Sequence, residues 1–201
     1  MNVVFDIGNV LLHWDPRALY RKIFATEEEV EWFLANVCTS AWNLEQDRGR
    51  SFEDAIAEAV SRHPGHAQAI AAYHHRWEET LTHVIDGTVD ILLELKDQGT
   101  PLYAITNWHQ DKFRQTRARY DFLQHFRDIA VSGDEGVIKP DPAIYRLLLE
   151  RNGLNASDCL FIDDSPKNVA GAEAVGMKAH HFTSPQSLRA RLIAEGVLPE
   201  I

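Results

Sequence analysis

Three aspartates directly follow apolar runs in this chain and could take part in acid or metal chemistry. Asp6 ends the run in VVFDIGNVLL, and Asp163 and Asp164 end the run in LFIDDSPKN. A carboxylate at the end of a hydrophobic strand is costly to bury unless another group offsets its charge. These acids therefore predict a site that contains a positively charged partner.

Two further stretches add a hydroxyl, an amide and an ammonium group. Thr106 and Asn107 follow the apolar run in YAITNWH, and Lys139 precedes Pro142 in SGDEGVIKPDP. Each position taken alone is more often turn chemistry or a solvated surface residue. Together they place three acids against one lysine, which is unbalanced without a divalent cation. Ligands that are all oxygen favour Mg²⁺.

The elements that must position these groups alternate between strands and helices. Apolar runs bounded by turn residues predict strands over 2–6, 101–105, 128–132, 159–163 and 178–182. Helical periodicity lies between and after them, over 87–98, 110–125, 141–152, 166–175 and 184–195. This alternation predicts a doubly wound parallel sheet with helices on both faces. Since ligands bind beyond the carboxyl ends of such strands, the polar groups are expected to meet at one edge.

Residues 15–83 interrupt the alternation and predict a small, all-helical cap inserted after the first strand. Thr26 with Glu29 forms a capping box, and Ser51 is typical of a second helix N-cap. No strand is expected in this stretch. The predicted organisation is an α/β core of residues 1–14 and 84–201, with the cap between them.

Composition excludes several classes of function. The chain has 201 residues, a net charge of −10 and a pI near 5.4, which disfavours binding to nucleic acid or anionic membranes. Cys38 and Cys159 lie in apolar surroundings and are expected to be free, buried thiols. The first strand leaves no room for a signal peptide, and no apolar run is long enough to span a membrane. We therefore expect a soluble, cytoplasmic protein, either a monomer or a homodimer.

The four stretches resemble the four motifs of the haloacid dehalogenase superfamily. VVFDIGNVLL, AITN, IKPDPAIY and FIDDSPKNVAGAEAVGM are similar to motifs one to four, and the likeness covers nearly the whole chain. FDIGNVL is similar to a branch that contains bacterial sugar-phosphate phosphatases of the glucose-1-phosphate type. The resemblance implies a Rossmann-like core and a phosphatase whose substrate is a small phosphorylated metabolite, expected to be a sugar phosphate.

The resemblance also implies a role for each motif residue. Asp6 would be the nucleophile that attacks phosphorus and forms an aspartyl-phosphate. Thr106 and the backbone N–H of Asn107 would hold phosphate oxygens, and Lys139 would offset charge on the phosphate and on Asp6. His109 follows motif two and is a further candidate for contact with the substrate.

A magnesium site is implied at the same place. Asp6, the carbonyl of Gly8 and Asp164 would bind Mg²⁺, with Asp163 either binding it directly or supporting the residues that do. Phosphoryl transfer mainly requires positioning and neutralisation of charge, which a metal ion and a lysine would supply.

Gly8 departs from the pattern of the family's phosphatases, most of which carry a second aspartate two residues after the nucleophile. A positioned acid is typically worth about 10²–10⁴ in rate. The enzyme would then favour good leaving groups, or take the proton from water, His13 or Asp15. A weakened or repurposed site is the other interpretation.

Two alternatives to a phosphatase stay open at the level of sequence. The family's dehalogenases also lack the second aspartate, attack carbon rather than phosphorus, and use no metal. Their fourth motif lacks the acid pair, however, and Asp163 beside Asp164 would repel each other in a pocket without metal. The other alternative is a protein of the same fold that binds phosphate or a partner without catalysis.

Overall fold

The computed structural model describes residues 1–200 and contains one five-stranded sheet and one two-stranded sheet. The strands, numbered along the chain, are β1 Asn2–Phe5, β2 Leu12–Trp14, β3 Leu81–Val84, β4 Leu102–Thr106, β5 Asp128–Val131, β6 Cys159–Asp163 and β7 Lys178–His181. The larger sheet is parallel throughout, in the order β5-β4-β1-β6-β7. Each of the five predicted strands is confirmed to within one residue at either end.

The three central strands are buried on both faces, which explains their continuous apolar sequences. Every residue of β4 and β6 is buried, as are Val3, Val4 and Phe5 in β1. Neighbouring residues face opposite sides, so Val3 and Phe5 belong to one hydrophobic cluster and Val4 to the other. The strand order reverses at β1, because β4 and β5 lie on one side of β1, and β6 and β7 lie on the other. The crevice at that point is where open α/β sheets bind ligands.

Six helices accompany the sheet. They are α6 Asp86–Asp97, α7 Gln110–Arg119, α8 Ser132–Glu135, α9 Pro142–Asn152, α10 Pro166–Ala174 and α11 Pro185–Ala194. Helices α6 and α11 pack in the cluster with Val3, and α9 and α10 pack in the cluster with Val4, which confirms helices on both faces. The predicted helix 110–125 instead ends at Arg119. Tyr120 is extended (φ −116°, ψ 106°), and a 3₁₀ turn over Asp121–His125 follows it.

Five helices follow β2 and precede β3. They are α1 Arg17–Tyr20, α2 Glu27–Asn36, α3 Ser40–Asp47, α4 Phe52–Arg62 and α5 Ala67–His75. The capping box of Thr26 and Glu29 is present, and the Ser51 side chain accepts a hydrogen bond from the N–H of Asp54. Tyr20 packs against Phe33 with ring centroids 4.6 Å apart in the core of these helices. We call residues 15–83 the inserted segment.

The expectation that residues 15–83 contain no strand is wrong. Strand β3 pairs antiparallel with β2, with Leu12 opposite Val84 and Trp14 opposite Leu81. The residues of β3 are half-buried or exposed, so the strand lacks the apolar run that marks a strand in sequence. Its partner β2 also lies about 70 residues earlier in the chain. The two-stranded ribbon of β2 and β3 joins the two ends of the inserted segment. The division into core and cap at 14/15 and 83/84 remains a prediction, and β3 runs across the second boundary.

Cys38 and Cys159 are both buried and free, as predicted. Among residues 1–200, no helix combines the length and the apolar character needed to cross a membrane.

Gly133, in α8, marks a close approach between two loops at the edge of the crevice. A Cβ at this position would lie 2.6 Å from the Gln110 nitrogen and 2.8 Å from the Trp108 oxygen. We expect Gly133→Ala to destabilise the protein by about 1–3 kcal/mol, which lowers the melting temperature by about 2–12 °C. Gly65→Ala is the control, because nothing lies within 4 Å of a Cβ there. Equal melting temperatures in thermal unfolding of the two variants would contradict this account of the loop packing.

Candidate active site

A cavity of about 250 Å³ lies at the carboxyl ends of β1, β4 and β6. Six of the predicted site residues line it, namely Asp6, Gly8, Thr106, Asn107, Lys139 and Asp164. Asn168 of α10 lines it too, and the inserted segment and the loops near it supply the remaining wall, with Asn9, Trp14, Ser40, Asn43, Leu44, Asp47, Trp77 and Trp108. The strand ends therefore do meet at one edge of the sheet.

Asp6 is held at the end of β1 from both its backbone and its side chain. Its N–H donates to the Ile162 oxygen at 2.8 Å, and its Oδ1 accepts from the N–H of Ile7 at 2.6 Å. The residue is 7% exposed, so its carboxylate borders the cavity from a largely buried position. The turn that follows depends on Asn9, whose φ of 56° lies in the left-handed region that asparagine tolerates.

Lys139 connects two of the aspartates. Its Nζ lies 2.9 Å from Asp6 Oδ1 and 2.7 Å from Asp163 Oδ2, and its side chain is 1% exposed. Asn107 holds the backbone of Lys139 at two points, because its Oδ1 accepts from the Lys139 N–H at 2.8 Å and its Nδ2 donates to the Lys139 oxygen at 3.1 Å. The lysine is therefore fixed by residues from three strand ends.

Asp163 has no exposed surface, and both its oxygens are occupied by protein donors. Its Oδ1 accepts from the Ser165 N–H at 2.8 Å and from Asn168 Nδ2 at 3.0 Å. Its Oδ2 accepts from Lys139 and, at 3.1 Å, from Asn168. This bonding suits a residue that anchors Lys139 more than one that binds a metal ion directly.

The electrostatics of the site favour an additional cation. Burial raises the pKa of Asp6 to about 8, with Lys139 lowering it and Asp163 raising it further. Burial and the charge of Asp163 also raise the pKa of Asp164. Burial opposes the charge of Lys139, but Asp163 and Asp6 outweigh it and raise the pKa of that lysine. One ammonium thus faces three carboxyl groups.

The donor set fits a hard divalent cation. Carboxylate oxygens of Asp6, Asp163 and Asp164 lie within 4.8 Å of one another, and those of Asp163 already accept hydrogen bonds from protein donors. Oxygen ligands of this kind are the ones that Mg²⁺ prefers. A bound cation would stabilise the ionised form of Asp6, which burial disfavours.

His109 does not line the cavity. It is the N-cap of α7, where its Nδ1 accepts from the N–H of Asp111 at 3.2 Å and its ring packs 4.6 Å from that of Phe52. A substrate contact by His109 therefore stays a prediction without geometric support. His13 and Asp15 line a neighbouring cavity of about 600 Å³ rather than the one that contains Asp6.

Asp47 is the residue that sequence reasoning missed. It is 6% exposed, it lines the cavity, and it lies four residues after Asn43 on α3. The spacing of an amide and an acid on one helix face is the only sequence signal for it, and such pairs are common on solvated helices.

Removing the buried ammonium should lower the stability of the protein far more than removing an exposed ammonium does. We expect Lys139→Met to lower the free energy of unfolding by about 3–5 kcal/mol, because it leaves buried carboxylates without a partner. Adding Asp163→Asn should restore part of this loss. Lys178→Met is the control: its side chain is 44% exposed, and its pair with Glu195 is worth about 1 kcal/mol or less. Chemical denaturation gives the free energy of unfolding of the wild type, the two single variants and the double variant. Equal losses of stability in Lys139→Met and Lys178→Met would contradict the role of Lys139.

Comparison with known proteins agrees with this geometry. A sequence profile of the haloacid dehalogenase-like hydrolases matches residues 1–176. The chain is 28% identical over 180 residues to the sesquiterpene phosphatase astK of Aspergillus oryzae, covering 90% of this chain and 88% of that protein. It is 29% identical over 133 residues to the phosphoserine phosphatase of Thermus thermophilus, covering 66% of this chain and 53% of that protein. Against some other relatives it spans less than half of their length.

A solved structure shares the fold. The HAD family enzyme of Bacteroides thetaiotaomicron, in complex with magnesium and inorganic phosphate, has a TM-score of 0.68 at 22% identity, covering 91% of this chain and 94% of that chain. The phosphatases among the relatives support hydrolysis of phosphate esters. The chain belongs to the haloacid dehalogenase-like hydrolase family, and it is an enzyme of that family.

Proposed function

We propose that this protein is a Mg²⁺-dependent phosphatase that hydrolyses a small phosphate monoester through an aspartyl-phosphate on Asp6. The observation that carries the proposal is the position of the Asp6 carboxylate. It borders a cavity, it is held 2.9 Å from the Lys139 ammonium, and the second acid Asp164 lines the same cavity.

The mechanism follows from what these groups can do. An oxygen of Asp6 attacks phosphorus, the bond from phosphorus to the ester oxygen breaks, and the alcohol leaves. Water then attacks the aspartyl-phosphate, releasing inorganic phosphate and restoring the Asp6 carboxylate. Thr106 and the backbone N–H of Asn107 hold the phosphoryl oxygens, and Lys139 offsets the charge that collects on them.

Mg²⁺ would be held by Asp6, Asp164 and the Gly8 carbonyl, with Asp163 fixing Lys139 beside them. When bound there, it would supply positive charge next to the phosphoryl oxygens and keep Asp6 ionised. The acid pair also distinguishes this proposal from a metal-independent dehalogenase. Burial and mutual repulsion work against two adjacent carboxylates without a cation.

The leaving group occupies the part of the cavity lined by the inserted segment. We propose a sugar phosphate, because Ser40 and Asn43 provide a hydroxyl and an amide beside the indole rings of Trp14, Trp77 and Trp108. A terpenyl phosphate is the second candidate, favoured by those three rings and by the sesquiterpene phosphatase relative. Turnover of hexose phosphates and of farnesyl phosphate under the same conditions decides between them.

Asp6→Asn tests the nucleophile. An amide has nearly the shape of the carboxylate but is a far poorer nucleophile, so phosphate release should fall below detection while the protein stays folded. Mass spectrometry of enzyme quenched during turnover should find a phosphorylated peptide containing Asp6 in the wild type and none in the variant. Asp97→Asn, at an exposed position, should behave as the wild type. Substantial turnover by the Asp6 variant would exclude the mechanism.

Asp164→Ala tests the metal ion. It should abolish both activity and the effect of magnesium on thermal unfolding, whereas Asp97→Ala should retain both. The wild type should gain about 2.7 kcal/mol of stability at a Mg²⁺ concentration about 100 times the dissociation constant. Full activity in excess chelator would favour the dehalogenase. Magnesium binding without turnover of any phosphate ester would favour a binding protein.

A further inference from the structure

Gly8 leaves open which group protonates the leaving oxygen. A Cβ at Gly8 would meet nothing within 4 Å, and its φ is not in the left-handed region. Neither crowding nor backbone conformation therefore requires glycine there. The missing side chain leaves open space at Gly8, so the proton donor has to come from another residue that lines the cavity.

The two acids suggested by the sequence are held elsewhere. His13 bonds through Nδ1 to Thr82 Oγ1 at 2.7 Å and stacks on His83. Asp15 accepts from the N–H of Arg17 at 3.0 Å and lies near two arginine side chains. Both line the neighbouring cavity, and neither is among the residues that line the cavity containing Asp6.

Asp47 lines the cavity that contains Asp6. The cavity that contains Asp6 is lined by four titratable side chains, of which Asp6, Lys139 and Asp164 already have roles in the proposed mechanism. We propose that Asp47 is the general acid and base of this site, protonating the leaving oxygen and later deprotonating the attacking water. This inference rests on the proposed phosphatase function and supplies the proton transfers that it lacks.

The environment of Asp47 suits both transfers. Within residues 1–200, no arginine, lysine or histidine side chain lies within 4.0 Å of its carboxyl, which accepts a hydrogen bond from Asn43 Nδ2 at 3.1 Å. Burial raises the pKa of Asp47 to about 7, and the backbone N–H of His109 opposes the rise only in part. Tyr73 faces it from α5 and donates to Asn43 Oδ1 at 2.7 Å. An acid with a pKa near 7 can both give and take a proton at neutral pH.

Asp47 is also held firmly against the core. Its backbone oxygen accepts from Ser132 Oγ at 2.5 Å, and the same Oγ accepts from the N–H of Trp108 at 2.9 Å. Trp108 follows Asn107, whose backbone is proposed to hold the phosphate. The end of α3 is therefore fixed relative to the phosphate site.

The reaction has two steps, and Asp47 transfers a proton in each. In the first, Asp6 bonds to phosphorus, the ester P–O bond breaks, and the proton of neutral Asp47 moves to the leaving oxygen, giving an alcohol. In the second, ionised Asp47 takes a proton from the water that attacks phosphorus, and the bond between phosphorus and Asp6 breaks. In-line attack places the water where the alcohol left, so one residue serves both steps.

Wild type, Asp47→Asn and Glu45→Gln are compared with p-nitrophenyl phosphate and a hexose 6-phosphate, both with Mg²⁺. Glu45 is the matched control, because it is an exposed acid on the same helix. The Asp47 variant should release one p-nitrophenol per enzyme in a burst at about the wild-type rate. It should then turn over about 10²–10⁴-fold more slowly, because water is no longer activated. With the hexose phosphate it should show no burst and a similar loss, whereas the Glu45 variant should match the wild type.

Two results would overturn the proposal. One is near-wild-type turnover of the hexose phosphate by folded Asp47→Asn protein. The other is a lost p-nitrophenol burst, which would mean that Asp47 only positions other groups. The wild type alone can also be tested with a series of substituted phenyl phosphates. If an acid protonates the leaving oxygen, the rate of the first step should depend little on the pKa of the phenol. A steep dependence would show that no acid protonates the leaving oxygen. A wild type that forms no phosphoenzyme would instead overturn the proposed function itself.

Discussion

The structure depends on one buried ammonium group. Lys139, with a side chain that is 1% exposed, lies between Asp6 and Asp163, and a charge in that position is tolerable only while its partners stay in place. The partners come from the ends of β1 and β6, and Asn107 at the end of β4 holds the lysine's backbone. The interaction that stabilises this edge of the sheet is therefore also the one that orients Asp6.

The charge balance of that edge explains its chemistry. One ammonium does not neutralise three carboxyl groups in a largely buried site. Burial is the main cause of the raised pKa of Asp6, and repulsion from Asp163 and Asp164 adds to it. A divalent cation would relieve the repulsion, which links stability to binding. Membership of the haloacid dehalogenase-like hydrolases, and the phosphatases among its relatives, fit a site organised in this way.

The inserted segment contributes a different part of the site. The sheet edge provides Asp6, Lys139 and Asp164, and the segment adds the Trp77 indole, the Asn43 amide and the Asp47 carboxyl to the cavity wall. The short ribbon of β2 and β3 ties both ends of the segment together, and the bond from Ser132 to Asp47 ties its third helix to the core. In the proposed mechanism, phosphate binding and recognition of the leaving group thus belong to separate parts of the chain.

The sequence alone determined the alternation of strands and helices, and with it the meeting of Asp6, Lys139 and Asp164. Apolar runs, helix caps and turn residues are local signals, and a parallel sheet brings strand ends to one edge. Only the tertiary structure decided that Asp47 lines the cavity, that His109 does not, and that a ribbon closes the inserted segment. These features depend on contacts between residues far apart, such as the 85 positions that separate Asp47 from Ser132. No local pattern encodes such a contact, because it forms only when the packed segments meet.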